Sequence, residues 1–291
     1  MNRDFFQPNT LMKVLQLKRD YHGATLLAGG TDFVVAMRND RGAEGSIIDL
    51  SKVRELKGIE EVGDRIKIGS MTTFTEITDS EILRKSASML CQAGATVGSP
   101  QIRNRGTIGG NICNASAAAD GMTPLLCLDA EIELQSLTTD GKVNKRSLSL
   151  KEFMIDTNKT DIEENEIMVS VTFENILPDI FSSFQKIGRR NALAIARING
   201  CCALHLNNNI IESIKFALGA STSKPERIRV VEDFLTDEEL TTETLQKAGK
   251  LAAEYVFEQT GTRASSVYKL PVIEKFTVSL IKAATEGKNN I

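Results

Sequence analysis

Two segments far apart in the chain carry residues suited to holding a phosphate group: Leu26-Leu27-Ala28-Gly29-Gly30-Thr31-Asp32 and Gly106-Thr107-Ile108-Gly109-Gly110-Asn111. A Gly-Gly pair at the end of a strand lets the backbone turn sharply and leaves no Cβ in front of an incoming group. Successive N–H groups in such a turn can form a concave nest for phosphate oxygens. Thr31 and Thr107 add hydroxyl donors without charge. Two such loops converging could grip both phosphates of a dinucleotide. The plainer alternative is a pair of tight turns, for which glycine is an ordinary choice. Neither segment is a Gly-x-Gly-x-x-Gly fingerprint or a P-loop ending in Gly-Lys-Ser/Thr, so residue chemistry leaves both readings open.

Other chemistry has little raw material. The two histidines, His22 and His205, read as surface or satisfied side chains, so a hydrolytic triad is not expected. Cys91, Cys113, Cys127, Cys201 and Cys202 contain no Cys-x-x-Cys spacing. They are expected to be reduced thiols rather than disulfides or ligands of zinc or an iron–sulfur cluster. Cys113, beside the second glycine pair, reads as a small buried residue. A formal charge of −3 gives no basic field for nucleic acid. No apolar run approaches the roughly 20 residues that span a bilayer. Met1-Asn2-Arg3-Asp4-Phe5-Phe6 lacks a secretory pattern, so a cytoplasmic protein without nucleic-acid or membrane partners is expected.

The elements that must position the glycine segments follow from periodicity. Residues 24–28 read as a short buried strand running into Gly29-Gly30, with a helical segment from Phe33 to Met37 beyond. Asn9 or Thr10 can cap an earlier helix, and Thr73 with Glu76 has capping-box spacing. A helix is expected over 82–93, strands at 46–49 and 65–68, and apolar segments at 125–134 and 148–153 around an Asp140-Gly141 turn. Glu166 to Phe173 reads as a further strand. Pro178 sits in a plausible boundary between a domain of residues 1–176 and one of 177–291. In the second domain, 181–189, 194–206 and 210–218 read as strands, and 242–258 and 271–284 as helices. The fold class is α+β.

Ala28-Gly29-Gly30-Thr31-Asp32 resembles the first pyrophosphate loop of the flavoprotein subunits of the xanthine dehydrogenase and carbon monoxide dehydrogenase family. The run Gly98-Ser99-Pro100-Gln101-Ile102-Arg103-Asn104-Arg105-Gly106-Thr107-Ile108-Gly109-Gly110-Asn111-Ile112-Cys113-Asn114-Ala115-Ser116, continued by Ala118-Ala119-Asp120, resembles that family's second loop. The likeness extends to Phe184-Gln185-Lys186-Ile187-Gly188-Arg189-Arg190 and to Arg263-Ala264-Ser265, and so covers nearly the whole chain in order. Ala117 departs from the pattern, standing where many relatives carry proline.

The resemblance implies a vanillyl-alcohol-oxidase-type (PCMH) FAD-binding domain of two α/β subdomains, followed by a small three-stranded antiparallel sheet with helices. It implies FAD as cofactor, with Thr25, Leu26, Leu27, Ala28, Gly29, Gly30, Thr31 and Asp32 at the pyrophosphate, chiefly through backbone N–H groups. Thr107, Ile108, Gly109, Gly110 and Asn111 would form the opposing loop. Asp120 would accept hydrogen bonds from cofactor hydroxyls, although residue type alone also allows a helix N-cap. Ile167 would make an apolar contact near the adenine, or else be a core strand residue. Lys186 would stand near the flavin ring, where a cation favours the reduced, more negative form. Arg189 and Arg190 would line the acceptor side. The implied role is electron transfer in a molybdenum hydroxylase complex acting on a purine or other N-heterocycle. Partners would be a [2Fe-2S] iron–sulfur subunit and a molybdenum-pterin subunit, with NAD or another acceptor. No residue of this chain is expected to be catalytic or to bind metal. A stand-alone FAD oxidoreductase, a flavin-free scaffold and a nucleotide-binding enzyme such as a kinase are the alternatives, the last disfavoured because no P-loop lysine follows either glycine pair. Carbon monoxide and aromatic thioesters remain open as substrates of the family.

Overall fold

The computed structural model describes residues 4–39, 45–176, 179–190 and 193–286; Pro178 and Met1-Asn2-Arg3 lie outside them. The chain begins with a small parallel sheet of order β1-β3-β2, formed by β1 (Phe5–Phe6), β2 (Thr25–Leu27) and β3 (Ile47–Asp49). Helix α1 (Leu11–Asp20) is capped by Thr10, whose hydroxyl accepts from the Lys13 amide, and buries Val14, Leu15 and Leu17 against this sheet. Helix α2 (Phe33–Arg38) follows the first glycine pair and buries no residue fully, although its sequence is almost wholly apolar.

The second unit is a five-stranded antiparallel sheet of order β4-β5-β10-β6-β7. Its strands are β4 (Ile59–Val62), β5 (Arg65–Gly69), β6 (Glu131–Leu137), β7 (Val143–Ser149) and β10 (Ile167–Glu174). Ile66, Ile68, Ile132, Leu134, Val171 and Phe173 alternate onto one face and are fully buried. Helices α3 (Phe74–Asp79), α4 (Glu81–Ser86), α5 (Ser88–Thr96), α6 (Pro100–Arg103), α7 (Ile108–Asn114), α8 (Met122–Cys127) and α9 (Leu150–Phe153) accompany it, with the hairpin β8 (Met154–Asp156) and β9 (Lys159–Thr160). The capping boxes of Thr73 with Glu76 and Ser149 with Glu152 fix the starts of α3 and α9.

Two sequence expectations are corrected here. The helix over 82–93 is two helices, α4 and α5, broken at Ala87. The apolar segment 125–134 is the end of α8 and the start of β6, separated by Asp129 at φ 47. An unbroken apolar run does not reveal its period, so it cannot distinguish a buried helix from a buried strand.

The C-terminal sheet has order β11-β12-β13-β14, with β11 (Ile180–Gly188), β12 (Ala196–Asn207), β13 (Ile210–Gly219) and the two-residue β14 (Glu226–Arg227). Its three long strands match the expected ones, and β14 adds a short edge. Helices α10 (Arg229–Leu235), α11 (Thr242–Thr260) and α12 (Ser266–Glu286) complete the chain; α12 starts earlier than expected and contains Pro271. Strand β12 is buried on both faces. Ile198, Cys202 and Leu204 pack toward α10, α11 and α12, while Cys201 and Ala203 share a core with Phe74, Leu125 and Phe153 of the first 174 residues. Period-two alternation therefore makes this sheet the wall between two cores. Asn199, on the buried stretch of this second face, points into the preceding part of the chain.

Helices α11 and α12 meet so closely that a Cβ on Gly249 would stand 2.5 Å from the Glu274 carbonyl oxygen. Gly249→Ala is therefore expected to lower unfolding stability in urea by about 1–3 kcal/mol through overpacking. Exposed Lys250→Ala should stay within about 0.5 kcal/mol of wild type. Equal effects of the two would contradict this packing.

Candidate functional site

The two glycine segments meet. Strand β2 ends at Leu27 and the chain turns through Ala28, Gly29 and Gly30, with Gly30 at φ 76, where a side chain would be strained. A Cβ on Gly29 would lie 1.9 Å from the Arg105 carbonyl oxygen, so only a bare Cα lets the first loop lie against the Arg105–Gly106 backbone. A Cβ on Gly110 would be 3.0 Å from Thr107 Oγ1 and 3.8 Å from Ala28 Cβ. The approach expected of a dinucleotide cradle is thus built into the backbone.

The second pair does not sit in a turn after a strand. Gly109 and Gly110 occupy the first turn of α7, whose N-cap is Thr107. The hydroxyl of Thr107 accepts from the Gly110 amide at 3.1 Å, and its carbonyl accepts from the Asn111 amide at 3.0 Å. The Ile108 and Gly109 amides donate to the Thr72 and Ser70 carbonyls at 2.9 and 2.8 Å. These donors are already engaged. A Cβ on Gly109 would meet Ser70 O at 2.6 Å, so this glycine serves the close approach of α7 to the end of β5. By contrast, no acceptor among the described residues engages the backbone N–H groups of Gly29, Gly30, Thr31 or Asp32. Asp32 stands at the N-cap of α2 without a side-chain capping bond.

A buried ion pair closes the other side. Asp120 is 6 % exposed, and its Oδ2 accepts from Lys186 Nζ of β11 at 2.5 Å. Lys186 also donates to the Thr96 carbonyl at 3.1 Å. The Asp120 Oδ1 accepts from Asn199 Nδ2 at 2.9 Å, and the Thr96 hydroxyl lies 3.5 Å from Oδ2. Burial pushes the Asp120 carboxyl above the usual carboxylate range, and Lys186, Asn199 and Thr96 only partly oppose it. Asp120 is not a helix cap, because Gly121 occupies that position before α8. Gly121 in turn packs against Asn111: a Cβ there would be 2.8 Å from Asn111 Oδ1, a buried oxygen without a partner among the described residues. Lys186 also borders a cleft of about 770 Å³ whose wall includes Thr96, Gly98, Arg103, Arg190 and Leu193. The cleft does not include the glycine loops; a cavity of about 420 Å³ shares Lys186 and Ile187 with it, and one of about 410 Å³ lies elsewhere.

The remaining expected residues fall as follows. Thr25, Leu26 and Leu27 form β2 and, with Ala28, are half-buried. Ile167 begins β10 and is fully buried in the core beneath β2 and β3, beside Leu26 and Ala28. Arg189 is exposed, and Arg190 is held by the Leu193 carbonyl. Cys113 is exposed as a residue, correcting the expectation of a buried one, although its Sγ lies 3.8 Å from the Sδ of buried Met168. Thr96 and Asn199 were not anticipated. The signal for Asn199 was present, as an amide within the otherwise apolar run of β12.

Unengaged amides beside a left-handed glycine suit phosphate oxygens. A buried carboxylate and an orphaned amide oxygen suit hydroxyl donors, and a cation at a cleft suits a group that gains negative charge. This donor set fits FAD. The fold and site together define a flavin-binding domain with a sheet-and-helix domain behind it. Residues 1–174 match the family model for the FAD binding domain in molybdopterin dehydrogenase, and residues 182–284 match the CO dehydrogenase flavoprotein C-terminal domain. The chain belongs to this FAD-binding family. It is similar to the xanthine dehydrogenase FAD-binding subunit of Escherichia coli O157:H7, 32 % identical over 96 % of each chain. It is likewise similar to the nicotinate dehydrogenase FAD-subunit of Eubacterium barkeri, 31 % identical over 98 % of each. Among solved structures, carbon monoxide dehydrogenase from Hydrogenophaga pseudoflava superposes with a TM-score of 0.90 at 23 % identity over 98 % of each chain, which shows the shared fold. No helix among the described residues is long and apolar enough to cross a membrane.

Removing the Lys186 charge leaves a buried carboxylate without its counter-ion. Its folded-state proton affinity then rises further above the unfolded value, so the stability lost grows as pH rises through the folded-state pKa. Lys186→Met, compared with wild type by calorimetry without FAD, should show a small deficit in Tm at pH 5 and a growing one toward pH 8. A deficit independent of pH would contradict the pairing.

Proposed function

We propose that this chain is the FAD-carrying electron-transfer subunit of a molybdenum hydroxylase. It would receive electrons from the [2Fe-2S] clusters of a partner subunit and pass them to NAD or another acceptor, while a molybdenum-pterin subunit hydroxylates the substrate. The observation that carries this reading is the meeting of the Gly29-Gly30 loop with the Thr107-capped start of α7, with the Lys186–Asp120 pair at a cleft beside it. Bound FAD supplies a centre that can take up and release electrons between one-electron and two-electron partners.

The site residues are assigned on the same reading. Residues 25–32 hold the pyrophosphate through the amides of Gly29, Gly30, Thr31 and Asp32. Thr107, Ile108, Gly109, Gly110 and Asn111 form the facing wall, which leaves room for the phosphates rather than donating to them. Asp120 and the orphaned Asn111 oxygen take the hydroxyl donors, and Lys186 places positive charge at the cleft. Ile167 backs the adenine side from within the core. Division into residues 1–176 and 177–291 is supported by where the two family matches stop and start. A purine or other N-heterocycle as substrate is supported by relatives named for xanthine and nicotinate, each above 30 % identity over nearly the whole chain. Arg103 and Arg190 at the cleft offer positive charge to an anionic acceptor such as NAD.

Gly110→Val tests the second wall. The added side chain has no backbone atom within 3.0 Å of its Cβ position, so the chain should fold. It projects toward Ala28, between the loops, and FAD retention should fall by at least about tenfold, the ratio that corresponds to about 1.4 kcal/mol. Titration of the purified chain with FAD, alongside circular dichroism, reads both effects. Normal FAD affinity in the variant would show that the second loop is misassigned, and a wild-type chain that binds no FAD would overturn the reading.

A further inference from the structure

We propose that Asn199 is a positioning residue of the flavin site, clamping the Asp120 carboxylate against Lys186 so that the positive charge at the cleft wall stays compensated. The inference rests on the assignment of Asp120 and Lys186 to that site. Lys186, Asn199 and Gly219 are cross-strand partners in one row of the C-terminal sheet, Lys186 opposite Asn199 and Asn199 opposite Gly219. They occupy the same face as Phe184, Cys201 and Ala217, which pack into the first domain's core. The register itself therefore delivers an ammonium and an amide side by side to Asp120.

Asn199 is fully buried and spends its Nδ2 on Asp120 Oδ1 at 2.9 Å, with the Ala118 carbonyl at 3.5 Å. Its Oδ1 has no partner among the described residues and lies against Gly219, where a Cβ would be 2.1 Å away. An amide with one end unsatisfied destabilises a core, and a bare glycine opposite is needed to admit it. Packing alone does not call for such a residue in an apolar strand; orientation of the carboxylate does.

The charged group facing Asp120 is Lys186 of β11, and the other polar neighbours are the neutral Asn199 of β12 and Thr96 of α5. With the amide removed, burial still favours the neutral acid while one of the donors that favour the carboxylate is gone. Asp120 then takes up a proton more readily, and the Lys186 charge loses its compensation. An uncompensated cation near the flavin favours its reduced, more negative form.

The test uses the full chain loaded with FAD, with the flavin midpoint potential measured from pH 6 to 9 for wild type, Asp120→Asn, Asn199→Ala and the double variant. The FAD content of each is measured in parallel. Asp120→Asn should lie above wild type throughout. Asn199→Ala should match wild type at the alkaline end and move to the Asp120→Asn value at the acid end, and the double variant should equal Asp120→Asn alone. An Asn199→Ala potential that tracks wild type while Asp120→Asn is shifted would overturn the inference and leave the site assignment standing. An unshifted Asp120→Asn potential would overturn both. If Asn199→Ala does not fold, the near-isosteric Asn199→Leu removes the donor without adding charge. It should shift in the same direction as Asn199→Ala, and a wild-type curve would again overturn the inference.

Discussion

Withdrawing an ammonium and a carboxylate from water costs several kcal/mol per ion, and only close geometry with further hydrogen bonds offsets it. The protein accepts that cost at Lys186 and Asp120, each with a side chain about one-tenth exposed. The two residues are 66 positions apart, Asp120 from the loop before α8 and Lys186 from β11. The pair can form only when the C-terminal sheet lies against the helices of the first domain. The apolar contacts of Phe184, Cys201 and Ala217 with that domain enforce the same placement. Polar and apolar contacts thus specify one docking, and the polar residues gather at its rim beside the 770 Å³ cleft.

The glycine segments solve a different problem, the approach of one backbone to another. Gly29 against Arg105 and Gly109 against Ser70 are contacts that any Cβ would break. They fix the first loop to α7 and α7 to the end of β5, so the loop amides at 29–32 are held in place without being consumed. The two loops are not equivalent in chemistry. One presents donors, while the other has spent its donors on its own cap and presents a wall. On the proposed reading, this division of labour serves FAD.

Much of the scaffold was legible in the sequence, because its signals are local. Thr10 and Thr73 are followed by helices, β2 runs into its glycines, and the long C-terminal strands alternate around Cys201 and Cys202 as expected. What was not legible depends on tertiary contacts. A Gly-Gly pair reads as a turn, and only the Ser70 and Thr72 carbonyls show why Gly109 and Gly110 start a helix instead. The role of Asn199 needs the cross-strand register with Lys186, which no local pattern encodes. The extended likeness around Gly109-Gly110 carried the cofactor, while the geometry separated residues that can donate from those that cannot.

Amide hydrogen exchange on the purified chain, with and without saturating FAD, tests the central claim most directly. Exchange of unbonded surface amides is fast and slows when a ligand engages them, whereas amides already hydrogen-bonded start out protected. The account predicts strong new protection at Gly29, Gly30, Thr31 and Asp32, with little change at Ile108 to Asn111. Protection appearing at 108–111 while 29–32 continue to exchange freely would contradict it.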